Sequence, residues 1–193
     1  MGFFDPPDEL HSAGGSKLFP MLPGCRGAAQ FSPGKQVYRH TLTRTWGAHK
    51  PGPYALWIGM NPSTALADRD DPTIRRELIY TMRWLPVACY IKINVCDYRA
   101  TEPGDLLKPG VRPCSPRNIP LACHLIRNAH TIVVGWGNVG ARLPEAVADM
   151  ESALRANAEG RVWCLELNES GSPKHPLYVK GDTPLQEYRL GLA

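Results

Sequence analysis

The chain has 193 residues, a length that fits one domain with a single substantial core and no dependence on disulfides or a structural metal. Lys plus Arg outnumber Asp plus Glu by 22 to 18, a formal net charge of +4 that permits nucleic-acid binding without requiring it. The six cysteines include no C-x-x-C pair, Cys123-His124 reads as two faces of one helix, and no run of about 18 apolar residues occurs, so a disulfide framework, a zinc or iron–sulfur centre and a membrane span are disfavoured. Acids and prolines in MGFFDPPDEL stand where a signal peptide needs a basic start, and the expectation is a cytoplasmic protein working without a cofactor.

Residues 1–35 are rich in Gly and Pro and show no helical or strand period, which predicts an irregular N-terminal arm ahead of a single α/β domain over 36–193. QVYRHTLTRTW, from Gln36 to Trp46, has strand composition, and the turn residues of GAHKPGP predict a hairpin into a strand from Tyr54 to Met60. Asp71 and Pro72 then form an N-cap and first-turn proline for a helix to about Leu85, on the spacing of Ile74, Leu78, Met82 and Leu85. VACYIKINV predicts a strand ending near Asn94, Ser115-Pro116 a helix start running to Asn128, and TIVVGW a strand closed by Gly137. A helix is expected over 138–156, with Pro144 bending it or marking its true start, then a strand RVWCLEL over 161–167 and a short terminal helix capped at Thr183-Pro184.

Strands alternating with helices imply a three-layer α/β/α domain with a central, mainly parallel four-stranded sheet, plus the N-terminal hairpin strand. Sites in such sheets lie beyond the carboxyl ends of the strands. Those ends deliver Asn61, Asn94, the Gly135-Trp136-Gly137 turn and the loop carrying His175 to one edge. No nucleophile elbow, phosphate-binding P-loop or dinucleotide fingerprint is present, which disfavours hydride transfer and P-loop chemistry. An asparagine amide is no strong base, but it orients a water and reads the donor and acceptor edge of a nucleobase. That kit suits cleavage of an N-glycosidic bond, where the leaving group departs early and its charge needs donors.

Gly59-Met60-Asn61-Pro62 resembles the first active-site motif of the uracil-DNA glycosylase superfamily. The strand ending at Asn94, the strand ending in Trp136-Gly137 and the Lys174-His175-Pro176-Leu177 loop are similar to its later motifs, in the same order. A nearer resemblance, over about Tyr38 to the C-terminus, is to domain-of-unknown-function family 1643, through Arg44 to Trp46, Asn61 to Thr73, Trp136-Gly137 and His175 to Tyr178. The superfamily resemblance implies that Asn61 orients the attacking water, that Asn94 bonds an extruded base, and that His175 donates to the base oxygen. It further implies that Gly59, Met60 and Trp136 shape the base pocket, that Leu177 or Tyr178 wedges into the DNA stack, and that Ser63, Thr64, Ser172 and Lys174 hold phosphates.

The segment from Asp68 to Arg76 has no counterpart in the glycosylase pattern. Asp71 and Arg75 are therefore candidates for substrate choice, through a ribose or a phosphate. The structural alternatives stand beside these readings: Asn61-Pro62 as a turn, Asn94 as a loop cap, His175 as a surface loop residue, Asp70-Asp71 as one N-cap and one solvated acid, Arg75 and Arg76 as a solvated helix face. The leading expectation is a DNA-acting, base-flipping hydrolase of glycosylase type, used in DNA repair or modification. An enzyme of nucleotides or nucleosides on the same scaffold, or a non-catalytic nucleic-acid-binding module, is the alternative.

Overall fold

A computed structural model describes residues 17–47, 52–160 and 162–190. The strands are β1 (Phe19–Pro20), β2 (Arg26–Phe31), β3 (Arg39–Thr45), β4 (Tyr54–Gly59), β5 (Arg69–Asp70), β6 (Cys89–Asn94), β7 (Thr131–Val134), β8 (Val162–Cys164) and β9 (Gln186–Glu187). The α-helices are α1 (Pro72–Trp84), α2 (Asn118–Asn128) and α3 (Pro144–Asn157). The α/β class holds, and among the described residues no helix is long and apolar enough to cross a membrane.

One mixed sheet has the order β2-β3-β6-β4-β7-β8-β9. β6, β4, β7 and β8 are parallel neighbours, while β2, β3 and β9 pair antiparallel and widen the sheet to seven strands. β4 is central because its run ALWIG is buried on both faces, as a strand between two parallel neighbours has to be. Leu56 and Ile58 pack with Ile126, Met150 and Leu154 of α2 and α3, and Ala55 and Trp57 pack with Ile74 and Leu78 of α1. The period of two along β4 thus divides the core into two clusters on opposite sheet faces.

Several expectations change. β3 makes no hairpin with β4, because β6 lies between them and takes both pairings. The expected arm over 1–35 is a strand in its latter part: β2 is an edge strand against β3, while 1–16 fall outside the described residues. Its sequence RGAAQF lacks apolar alternation, and Gly27 is there for clearance, since a Cβ would lie 1.9 Å from the Ala67 carbonyl oxygen. The residues after Thr183 form β9 beside β8 rather than a helix, and α3 begins at Pro144. α2 begins at Asn118, beyond Ser115, whose N–H and hydroxyl both donate to the buried Asp97.

α1 starts as expected, with Asp71 Oδ1 accepting from the Ile74 N–H at 2.9 Å. Asp68 and Arg69 are exposed, but the charges next to the cap are not solvated. Asp70 is buried against Arg44, whose Nε donates at 2.9 Å, with Arg75 Nε 3.4 Å away on the other oxygen. Arg76 is buried as well, donating to the Val179 carbonyl and lying over the Tyr80 ring. This charged stretch therefore anchors β5, α1 and the chain near Val179 to one another.

Candidate functional site

The carboxyl ends of β4 and β6 are fastened by Val95 N–H to the Gly59 carbonyl at 2.8 Å and by Cys96 N–H to the Met60 carbonyl at 2.9 Å. Asn61 follows. Its Nδ2 donates to the carbonyls of Pro62 at 3.1 Å and Ala100 at 2.7 Å, which fixes the amide and leaves Oδ1 with neither bond. Asn94 is 2% exposed, and its Oδ1 has no partner among the described residues. Such an atom enclosed without a donor calls for a ligand or water.

His175 is brought in by β7. A Cβ on Gly135 would lie 3.0 Å from Pro176 Cδ, so only glycine lets the His-Pro turn pack so closely. Gly137, at φ +67°, turns the chain away and donates its N–H to the Pro173 carbonyl at 2.8 Å. His175 Nδ1 accepts from the Leu177 N–H at 3.4 Å, which assigns the ring proton to Nε2. Burial, assisted by the nearby Lys92 ammonium, pushes the imidazole down to about 4, so at neutral pH it is an uncharged donor.

Asn61, Asn94 and His175 line one cleft of about 500 Å³, together with Met60, Ser63, Asp71 and Tyr178. Sequence reasoning missed Arg39 and Lys92, which also line it and are 2% and 4% exposed. Arg39 Nη1 donates to the Ala65 carbonyl at 2.7 Å; burial lowers its pKa while Asp71 opposes the shift. Lys92 Nζ lies 2.5 Å from Glu77 Oε1, and Tyr90 donates to Glu77 Oε2 at 2.5 Å. Burial raises the Glu77 carboxyl against the pull of Lys92. A Cβ on Gly59 would sit 2.5 Å from Lys92 Nζ and 3.0 Å from Asn94 Oδ1, so Gly59 clears the cleft floor without lining it. The signal for Lys92 was available: a charged residue inside the apolar run CYIKIN, two residues before Asn94 and hence on its face.

The other candidates lie elsewhere. Trp136 is in the core, edge-on to Tyr188 at 5.7 Å, and does not line the cleft. Arg75 turns toward Pro20 and the Phe19 ring. Ser172 donates to Asn138 Oδ1 at 2.6 Å, which ties its loop to the Trp136-Gly137 turn, and Lys174 pairs with Glu166 at 2.8 Å. Leu177 is a backbone partner of His175, and Thr64 lines a neighbouring depression. Tyr178 is 76% exposed at the mouth of the cleft, its ring 5.8 Å from that of His175. Among the described residues no three His, Cys, Asp or Glu side chains converge as metal ligands do.

A family model described as "Protein of unknown function (DUF1643)" matches residues 39–177. The chain belongs to this family. The matched span opens on Arg39 and closes two residues past His175, so of the cleft residues only Tyr178 falls beyond it. No curated protein and no solved structure matched the chain.

Proposed function

We propose that this DUF1643 member is an N-glycosidic-bond hydrolase of DNA glycosylase type, on a three-layer scaffold like that of the uracil-DNA glycosylases. The observation that carries the reading is the shared cleft of Asn61, Asn94 and His175, side chains from the ends of three separate segments. An extruded base enters past Tyr178 and bonds Asn94 by its edge. As the bond from C1′ to the base nitrogen breaks, its electron pair leaves with the base. The neutral His175 donates Nε2–H to the base oxygen on which charge accumulates, and the Lys92 ammonium adds a favourable field. Asn61 Oδ1 holds the water whose oxygen bonds to C1′, and the proton that this water loses passes to the departed base, which leaves as the neutral free base.

Asp71 and Glu102 on the cleft wall favour a second reading, in which the substrate is a nucleotide or nucleoside rather than a DNA duplex. The test incubates the full chain with uracil-, hypoxanthine- and hydroxymethyl-containing single strands and duplexes, and with the corresponding nucleosides and nucleotides. Release of free base, reduced about a hundredfold to a thousandfold by Asn61→Ala, is the expected result. Base release from the small molecules alone selects the second reading, and release from none of these substrates sinks both.

A further inference from the structure

The cleft continues beyond Ala100. A second depression of about 310 Å³ shares Ser63, Ala100 and Thr101 with it and extends over Thr64, Lys35 and Arg99. Charge is divided between the two. Asp71 and Glu102 line the first beside Arg39 and Lys92, whereas the second has two cations, Lys35 and Arg99, and no carboxylate in its lining.

Three chain segments are bonded together to build it, through Arg99 N–H to the Val37 carbonyl and Ala100 N–H to the Pro62 carbonyl, both at 2.9 Å. Gln36, beside Lys35, holds φ at +50°, a left-handed conformation that is unfavourable for a non-glycine residue. The Arg99 guanidinium lies 5.1 Å over the Phe31 ring, which fixes its plane. Its Nη1 reaches the Gln36 carbonyl only at 3.4 Å, and its Nε is enclosed with no partner among the described residues. Ser63 Oγ, at the junction of the two depressions, is likewise enclosed with no partner among the described residues. Lys35 is exposed. A held guanidinium, an ammonium and a hydroxyl, all with donors to spare, match a tetrahedral anion that has only acceptors.

We propose that this depression is a phosphate subsite, holding the phosphate of the nucleoside unit whose base occupies the adjoining cleft. The assignment of the base rests on the function proposed above; the anion site rests on Lys35, Arg99 and Ser63. The phosphate belongs either to a phosphodiester strand or to a mononucleotide.

Binding to the full chain is measured for a fluorescein-labelled ten-residue oligothymidylate, for thymidine monophosphate and for thymidine, between 50 and 200 mM salt. The variants are Lys35→Glu, Lys35→Glu/Arg99→Gln, and Arg127→Glu as a charge control at the opposite edge of the sheet. Lys35→Glu alters an exposed side chain and keeps the test valid if the double variant misfolds. The expected result is oligonucleotide binding weakened about tenfold or more by the double variant. Its salt slope should fall by about 0.7, the contribution of one single-strand phosphate contact. Arg127→Glu should bind within about twofold of the parent. Monophosphate binding that depends on Lys35 and Arg99, without oligonucleotide binding, supports the subsite and assigns it to a mononucleotide. Equal affinity for monophosphate and thymidine, or parent-like binding by both Lys35 variants, overturns it. Binding needs no bond cleavage, so intact Lys35-dependent binding without base release refutes the hydrolase alone.

Discussion

Lys92→Met is the perturbation that best separates the chemistry beneath the cleft from its packing. Methionine keeps the length of the side chain and removes the ammonium, leaving the Glu77 carboxylate, fully buried, with Tyr90 as its one donor among the described residues. Breaking a buried pair from one side costs about 3–5 kcal/mol, because the remaining charge is uncompensated, and that is a large share of the roughly 5–15 kcal/mol that holds a domain folded. Replacing both members, as Lys92→Met/Glu77→Leu, removes the stranded charge. The residual cost is then about 1–3 kcal/mol for the Tyr90 hydroxyl left without an acceptor, and adding Tyr90→Phe should recover most of it. Proton uptake offers the single variant another relief, since burial already raises the Glu77 carboxyl. A carboxyl with a folded pKa above its unfolded value favours folding below the unfolded value and loses that contribution as pH rises through the folded one. The deficit of Lys92→Met should therefore grow from pH 5 to pH 8, by at most about 1.4 kcal/mol per pH unit. Urea unfolding followed by tryptophan fluorescence at both pH values measures it. A loss below about 1 kcal/mol at pH 8, or a deficit at pH 5 as large as at pH 8, would refute the reasoning.

Three further outcomes follow from the same geometry. With His175 held near 4, base release should be flat from about pH 5.5 to 8 and fall only as the ring protonates near 4, where Nδ1 can no longer accept from the Leu177 N–H and the His-Pro turn loses the bond that sets the ring. A limb centred near 6.5 in the rate profile would show the ring to be hydrated, and His175→Ala should lower kcat by about a hundredfold or more. Asp71→Asn keeps the cap on the Ile74 N–H and removes the carboxylate that supports the buried Arg39 charge, so oligonucleotide affinity should rise at some cost in stability to urea; Asp71→Ala should lose about 1 kcal/mol more with the cap. Gly27→Ala would set a methyl 1.9 Å from the Ala67 oxygen and 2.7 Å from Arg44 Nη1. It should cost about 1–3 kcal/mol or more in thermal unfolding, and a neutral result would mean that β2 does not pack so closely on the 65–69 loop.

Local signals were legible wherever one short segment supplied both the pattern and its consequence. Asp71-Pro72 capped α1, the apolar run at Tyr54 became the central strand, and Pro144 started α3. Asn61, Asn94 and His175 were placed on one edge by chain direction alone, and one cleft collects them. Errors arose where the partner was distant in sequence. Asp70 and Arg76 read as solvated because Arg44 and the Val179 carbonyl, which bury them, are 26 and 103 residues away. β2 read as irregular because its reason to be a strand is the edge of β3, not its own composition.

The sequence by itself determined the alternation of strands and helices, and with it the edge on which a site forms, because period and capping are properties of a few adjacent residues. Only the tertiary structure decided what that edge contains. It inserted β6 between β3 and β4, carried Lys92 and Arg39 into the cleft beside Asn94, and took Trp136, Arg75 and Ser172 out of it. The physical reason is desolvation: whether a charge faces solvent, a partner or a ligand depends on what long-range packing sets against it.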